Sequence, residues 1–395
     1  MLGLTIFTAR ALGVSEFGRL AFALSFANLL YVLSECGTHL VFLRDLSVAE
    51  SDLARQRQLW ARYLGVKALL CIGAGILGAL LSPWVWPWPA PSILVAVVAW
   101  MMVNSFIDFL HQACNARRDL AASAWLMALH RGLSVVPAVI VAFLWRDLAY
   151  TSFALLLGAA VALPLGLAAV ARRFGLPLDA RFRPGDILGV VSRSAPLALA
   201  NLFGSTYTKL GLLLLPWLGY ASAAGPYGAA QRLFEVSYLL PSAIVTVLLP
   251  SLAASHASDL EAFRKRARKS LATMAAAGIA TVAAGVPLAG VAIGLLFGAE
   301  FEQSTPILRI LLVALALVNV NYLATSLMVV VHRIPRHALH QALCLAICFV
   351  ATVVGVRHWG PLAGAWAVVA TELVLLVLTL FALAPCLIRR GQAPA

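Results

Sequence analysis

Charge is scarce in this chain. Only 11% of its 395 residues are Asp, Glu, Lys or Arg, and just 16 are acidic. Soluble domains carry about 25% charged residues, so a cytosolic enzyme or a disordered scaffold is excluded. Cysteine is sparse too. The six residues at 36, 71, 114, 344, 348 and 386 show no paired spacing, which excludes a disulfide-framed secreted module. There is no Gly-x4-Gly-Lys-Ser/Thr loop and no His-Glu-x2-His pair. An ATP-driven step is therefore not expected, and neither is a cofactor or a metal. His340, Cys344 and Cys348 share one helix face, but three ligands along a straight helix lie too far apart to close a tetrahedral zinc site. They read as packing residues.

What the chain does have is apolar length. Hydrophobic residues make up 62% and the mean hydropathy is +0.93, more than a compact soluble fold can hide from water. A helix crossing ~30 Å of hydrocarbon needs about 20 mostly apolar residues. The runs that qualify are 18–42, 63–82, 92–110, 120–144, 149–171, 191–216, 227–253, 270–297, 305–331, 337–356 and 361–385. Met1–Ala9 is apolar but covers only about half a bilayer at ~1.5 Å per residue. Without a basic n-region it reads as the tail of a first helix, not as a signal peptide. The runs are too continuous for the alternation of a membrane β-barrel. The expected fold is an all-α integral membrane protein of about 12 transmembrane helices, the first truncated.

The net charge of +13 follows a sided pattern. Loops near 43–67, 111–119, 171–193, 254–269 and 332–336, with the C-terminal tail, hold 21 of the 29 Lys and Arg residues. The opposite set holds Arg10, Arg19, Arg146 and Arg357. The positive-inside rule places the first set, and the C-terminus, in the cytoplasm. The turn Trp84-Val85-Trp86-Pro87-Trp88-Pro89 then falls outside, where indoles suit the headgroup layer. Insertion topology explains the basic excess, so no nucleic-acid partner is expected. Membrane lipids are, chiefly at Arg264–Lys269.

The polar interval Arg172–Arg193 divides the spans into two sets. Expected boundaries are an N-terminal lobe 1–171, a cytoplasmic linker 172–190, a C-terminal lobe 191–386 and a tail 387–395. The halves echo each other. Leu12-Gly13 followed by Phe17-Gly18 recurs as Leu218-Gly219 followed by Tyr227-Gly228, and basic Arg55–Arg62 recurs as Arg264–Lys269. Internal repetition of this kind is common in transporters.

An ionisable group at mid-bilayer costs roughly 2.5–3.5 kcal/mol on insertion scales, so it faces a partner or a wet cavity. Arg131, Lys209, Arg232 and Arg309 lie within predicted spans and are the cavity candidates, suited to an anionic ligand. Each has a plainer reading: Arg232 and Glu235 stand at i,i+3 and can neutralise each other, and Arg309 can snorkel to the interface. His130, beside Arg131, reads first as a packing residue. Among the acids, Glu35, Asp108, Glu235 and Glu372 are candidates for ion coupling. Pro137, Pro164, Pro196, Pro241 and Pro287 fall within spans, as kinks or bending points.

Several stretches resemble one family. Ala9-Arg10-Ala11-Leu12-Gly13 with Glu16-Phe17-Gly18, and Ser34-Glu35-Cys36-Gly37 with Arg44-Asp45-Leu46, are similar to bacterial polysaccharide and O-antigen flippases of the Wzx type. So are Ala195-Pro196-Leu197 through Tyr207-Thr208-Lys209, Tyr227-Gly228-Ala229-Ala230-Gln231-Arg232, and Leu296-Phe297-Gly298 with Phe301. The resemblance implies membership of the multidrug/oligosaccharidyl-lipid/polysaccharide exporter superfamily, with two six-helix lobes around a central cavity. It implies flipping of undecaprenyl-pyrophosphate-linked oligosaccharide across the bacterial inner membrane for lipopolysaccharide and related surface polymers. A polysaccharide polymerase and glycosyltransferases of the same pathway are the implied partners. The alternative is a drug/cation antiporter of the same superfamily. A membrane-embedded glycosyltransferase or polymerase would need a large extramembrane loop, whereas the longest hydrophilic interval is about twenty residues.

Overall fold

Four of the 16 acidic residues stand immediately before helices, where a short carboxylate accepts backbone N–H groups that the first turn leaves unbonded. Asp52 accepts from the Arg55 amide at 3.0 Å, Asp119 from Ala122 at 3.0 Å, Asp147 from Tyr150 at 3.0 Å, and Asp259 from Glu261 and Ala262 at 2.9 and 3.0 Å. In this computed structural model, which describes residues 2–48, 52–85, 90–176 and 184–388, those caps open four of the long helices.

The order is α1 Leu2–Glu35, α2 Thr38–Val48, α3 Leu53–Val85, α4 Pro91–Ala116, α5 Leu120–Trp145, α6 Leu148–Phe174, α7 Pro184–Tyr207 and α8 Leu210–Leu214. There follow α9 Ala224–Ser237, α10 Leu239–Ser258, α11 Leu260–Leu296, α12 Ser304–Val330, α13 Ile334–Trp359 and α14 Leu362–Ile388. No strand occurs among the described residues, and ten of their helical segments are long and apolar enough to cross a membrane. Large apolar side chains such as Ile140, Leu144, Phe153, Leu157, Leu288 and Leu295 point outward. In water each would forfeit roughly 25 cal/mol per Å² of apolar surface; in lipid that cost disappears. The chain is an all-α, multi-pass membrane protein.

Three sequence expectations shift in detail. The apolar start and the next span form one helical run, α1, broken at Gly13, whose φ of 77° and ψ of 174° are non-helical. The span expected to continue to residue 42 stops at Glu35, because Cys36 and Gly37 adopt left-handed backbone (φ 41° and 68°) before α2 restarts. The run 191–216 is interrupted between α7 and α8. Residues 86–89 of the tryptophan turn, 177–183 of the linker and 389–395 of the tail lie outside the described residues.

Packing separates the chain into two compact units, Phe7–Leu202, and Phe203–Ala395 with Met1–Ile6. In the first, Phe42, Trp60 and Phe109 anchor the core, with ring centroids 4.6 Å apart for Phe42–Phe109 and 5.4 Å for Trp60–Phe109. Gly158 lets α6 press on α5: a Cβ there would stand 2.0 Å from the Leu133 carbonyl oxygen. Trp100 Nε1 donates to Ser134 Oγ (2.8 Å), which donates to the Leu155 carbonyl (3.1 Å), so α4, α5 and α6 are tied by buried polar bonds. In the second unit Phe263, Met274, Leu323, Leu327, Met328 and Leu383 are buried together.

Within each unit the same succession of helices packs in the same pairs. The pairs are α3 with α4, α4 with α6 and α5 with α6 in one, and α11 with α12, α12 with α14 and α13 with α14 in the other. The repeated Leu-Gly pairs also match: Gly13 and Gly219 both turn the chain at positive φ, 77° and 88°. The basic runs Arg55–Arg62 and Arg264–Lys269 both lie in the opening turns of an aspartate-capped helix, α3 and α11.

Candidate functional site

Lys209 owes its position to a helix break. The chain leaves α7 at Tyr207 and re-enters helix at Leu210, and Lys209 occupies the interruption with its side chain 10% exposed. α9 approaches from the other side. Its segment Ala224–Gln231 is wholly buried, and Gln231 and Arg232 stand one turn before Glu235, at i,i+4 and i,i+3. Glu235 accepts from Lys209 Nζ at 2.5 Å, from Arg232 at 2.7 Å and from Gln231 Nε2 at 3.4 Å. One carboxylate thus serves two cations, leaving a net charge of +1 in a largely apolar setting. The Arg232 and Glu235 side chains stay 23% and 28% exposed, so the group is open to a ligand.

Tyr238 follows at the junction of α9 and α10. Its hydroxyl is buried with no hydrogen-bond partner among the described residues. Glu372, on α14 and 2% exposed, accepts from Tyr207 OH (2.7 Å) and from Asn321 Nδ2 (2.7 Å); Asn321 also donates to the Glu372 carbonyl at 2.9 Å. No cation reaches Glu372 among the described residues. A buried carboxylate held only by neutral donors is expensive as an ion, and the opposing donors make it an acceptor at both oxygens. The second unit therefore holds two polar groups, Lys209–Glu235–Arg232 with Gln231, and Glu372 with Tyr207 and Asn321.

The first unit has its own buried charge, which the sequence reading missed. The basic loop 43–67 of the sequence pattern includes Lys67. That lysine lies instead well inside α3 at 1% exposure, donating to Ser105 Oγ (2.6 Å) and the Ser34 carbonyl (3.3 Å). Ser34 and Ser105 share a further hydroxyl bond of 2.7 Å. Close by, Tyr31 OH donates to Asp108 (2.8 Å) and Glu35 lies 3.2 Å from His39 Nδ1. Glu35 and Asp108 are half-buried nearby on α1 and α4, and no carboxylate lies within ion-pair distance of the Lys67 Nζ among the described residues. The apolar Leu64-Gly65-Val66 ahead of Lys67 was the signal that the span had already begun.

The remaining candidates stand apart. Arg131 is half-buried in the middle of α5, without a protein partner among the described residues, near the buried His130 and His111. It belongs to the first unit, and the Lys209 group belongs to the second. Arg309 is exposed and donates to the Val286 carbonyl at 3.3 Å. Pro241 falls in the first turn of α10, where proline breaks no internal helix bond. All six cysteines are free, and no cluster of three metal-ligating side chains occurs among the described residues.

Comparison with known proteins places this architecture. The profile described as "Polysaccharide biosynthesis protein" matches residues 2–256. No curated protein matches the chain. Among solved structures, the fold is similar to an inward-facing multidrug resistance MATE family transporter of the MOP superfamily, with TM-score 0.75 and 13% identity over 96% of this chain and 92% of that one. It is similar to the lipid II flippase MurJ in an inward closed conformation, with TM-score 0.73 and 12% identity over 97% and 84% of the two chains. It is similar also to the Vibrio cholerae MATE transporter VcmN in a bent form, with TM-score 0.63 and 14% identity over 98% and 92%.

Proposed function

Because the chain belongs to the polysaccharide biosynthesis protein family, we propose that it flips undecaprenyl-pyrophosphate-linked oligosaccharide across the bacterial inner membrane by alternating access, with its basic loops and C-terminus in the cytoplasm. The carrying observation is the Lys209–Glu235–Arg232 group. Two cations sharing one carboxylate leave a positive excess that a pyrophosphate can take up, and Arg presents a fork matched to phosphate oxygens. On this reading Glu235 and the pyrophosphate compete for the same two donors. Substrate release is then favoured when Glu235 regains both. Arg131 is a separate substrate contact of the first unit, and Glu372 is the coupling carboxylate. Arg309 stays outside the binding set, engaged at the surface. A polymerase and glycosyltransferases of the pathway would supply and consume the lipid-linked substrate.

The test is leaflet movement in vesicles reconstituted with the full chain. A fluorescent undecaprenyl-pyrophosphate oligosaccharide should redistribute between leaflets. The same lipid with the pyrophosphate replaced by a neutral linker should move far more slowly. Equal rates for both lipids would overturn the proposal, as would movement of organic cations with no movement of glycolipid.

A further inference from the structure

The α5–α6 hairpin carries two grooves, one at each end. The groove at the end formed by the start of α5 and the finish of α6 has a volume of about 650 Å³ and is lined by Ala121, Trp125, Ala169, Val170, Arg172 and Arg173. Small residues on both helices leave it open, and Trp125, 52% exposed, forms one wall. The groove at the other end, about 830 Å³, is lined by Val141, Trp145, Tyr150, Phe153, Leu157 and Ala160 among others and has no charged wall. Both suit acyl chains. Only one offers a charge to whatever heads those chains.

That charge is in excess. Arg173 Nε donates to Asp119 at 2.5 Å, a bond that, with the Ala122 amide, holds the Asp119 carboxyl below the usual carboxylate range. Arg117 is engaged with Gln56 and lies over the Phe174 ring, 4.8 Å from its centroid. Arg172 is exposed and has no protein partner among the described residues. Five guanidiniums at this end (Arg57, Arg117, Arg118, Arg172 and Arg173) thus stand beside the carboxylate of Asp119 among the described residues.

We infer that this end of the hairpin is a binding site for an anionic phospholipid, its phosphate on Arg172 and its acyl chains in the groove beside Trp125. A guanidinium binds a phosphate through two parallel N–H bonds, and an aromatic ring at headgroup depth is at home beside it. The site does not depend on which solute the protein moves. A plainer role for Arg172 is to complement the dipole at the end of α6, which would affect helix stability without selecting a lipid.

The full chain, reconstituted in vesicles, is quenched with brominated phosphatidylglycerol or brominated phosphatidylcholine at equal mole fraction. Tryptophan quenching should be stronger with phosphatidylglycerol, and the excess should vanish in Trp125→Phe. In Arg172→Gln the preference should fall about fivefold, the effect of one interfacial cation; Arg172→Lys should keep most of it. Water-soluble glycerol phosphate should not compete, because it lacks the chains. An unchanged preference in Arg172→Gln, or equal competition by glycerol phosphate, overturns the inference. Independently of any variant, native mass spectrometry of the wild-type protein should retain phosphatidylglycerol over phosphatidylcholine; retention of neither, or of both equally, also overturns it.

Discussion

Removing the Lys209 ammonium should change the sign balance of the polar group in the second unit. In Lys209→Met, Glu235 keeps Arg232 at 2.7 Å and the group becomes neutral. A charge-assisted hydrogen bond to a ligand is worth about 1.5–3 kcal/mol, which at ~1.4 kcal/mol per decade is roughly a 10- to 150-fold loss. The wild-type side chain is only 10% exposed, so little of that is discounted for solvent screening. Leaflet movement of the pyrophosphate lipid should fall by that factor at equal protein incorporation. The double variant Lys209→Met/Glu235→Gln then decides the cause. Arg232 loses its carboxylate, the net charge returns to +1, and movement should recover in part. A single variant that flips at the wild-type rate, or a double variant no better than the single one, would refute charge balance as the controlling quantity.

Gly158→Ala places a Cβ against the Leu133 carbonyl, 2.0 Å away, and overpacking of that kind costs roughly 1–3 kcal/mol; the thermal midpoint in detergent should fall accordingly. Lys67→Met should fold at least as stably as the wild type, since the Ser34–Ser105 hydroxyl bond survives and replacing a buried ion by an apolar side chain is often neutral or favourable. Ser105→Ala, which strips Lys67 of its 2.6 Å acceptor, should by contrast lower stability by about 1–3 kcal/mol, read from the same melts. Because the Asp119 carboxyl sits below its usual range through Arg173, its stabilising contribution is present above pH ~4 and is lost as the pH drops through its lowered value. Hydrogen exchange at the start of α5 should quicken in acid, and the change should be absent in Asp119→Asn.

The sequence revealed what depends on neighbours along the chain. Continuous apolar runs set the spans, and the turns at Gly13 and Gly219 could be picked out as a repeated pair because each is a local feature. Partnerships formed by packing left no such trace. Arg232 and Glu235 are three residues apart and legible as a pair, but Lys209 reaches the same carboxylate from 26 residues away on another element. Glu372 finds Tyr207 and Asn321 across 165 and 51 residues. Lys67 was hidden for a different reason. It follows Arg55, Arg57 and Arg62, so simple counting assigned it to their loop. The one local mark of the passage from water into lipid is the short apolar step Leu64-Gly65-Val66 just before Lys67.

The matching order of the two units sets up a comparison inside a single molecule. Counting from the capping aspartates, Lys67 on α3 and Met274 on α11 fall at the same step, fifteen residues beyond Asp52 and Asp259 respectively, and both are buried. At that step one half carries an ammonium and the other a thioether. The same helical step thus packs an apolar side chain among Phe263, Leu323 and Leu327 in one half and hydrogen-bonds a buried amine to Ser34 and Ser105 in the other.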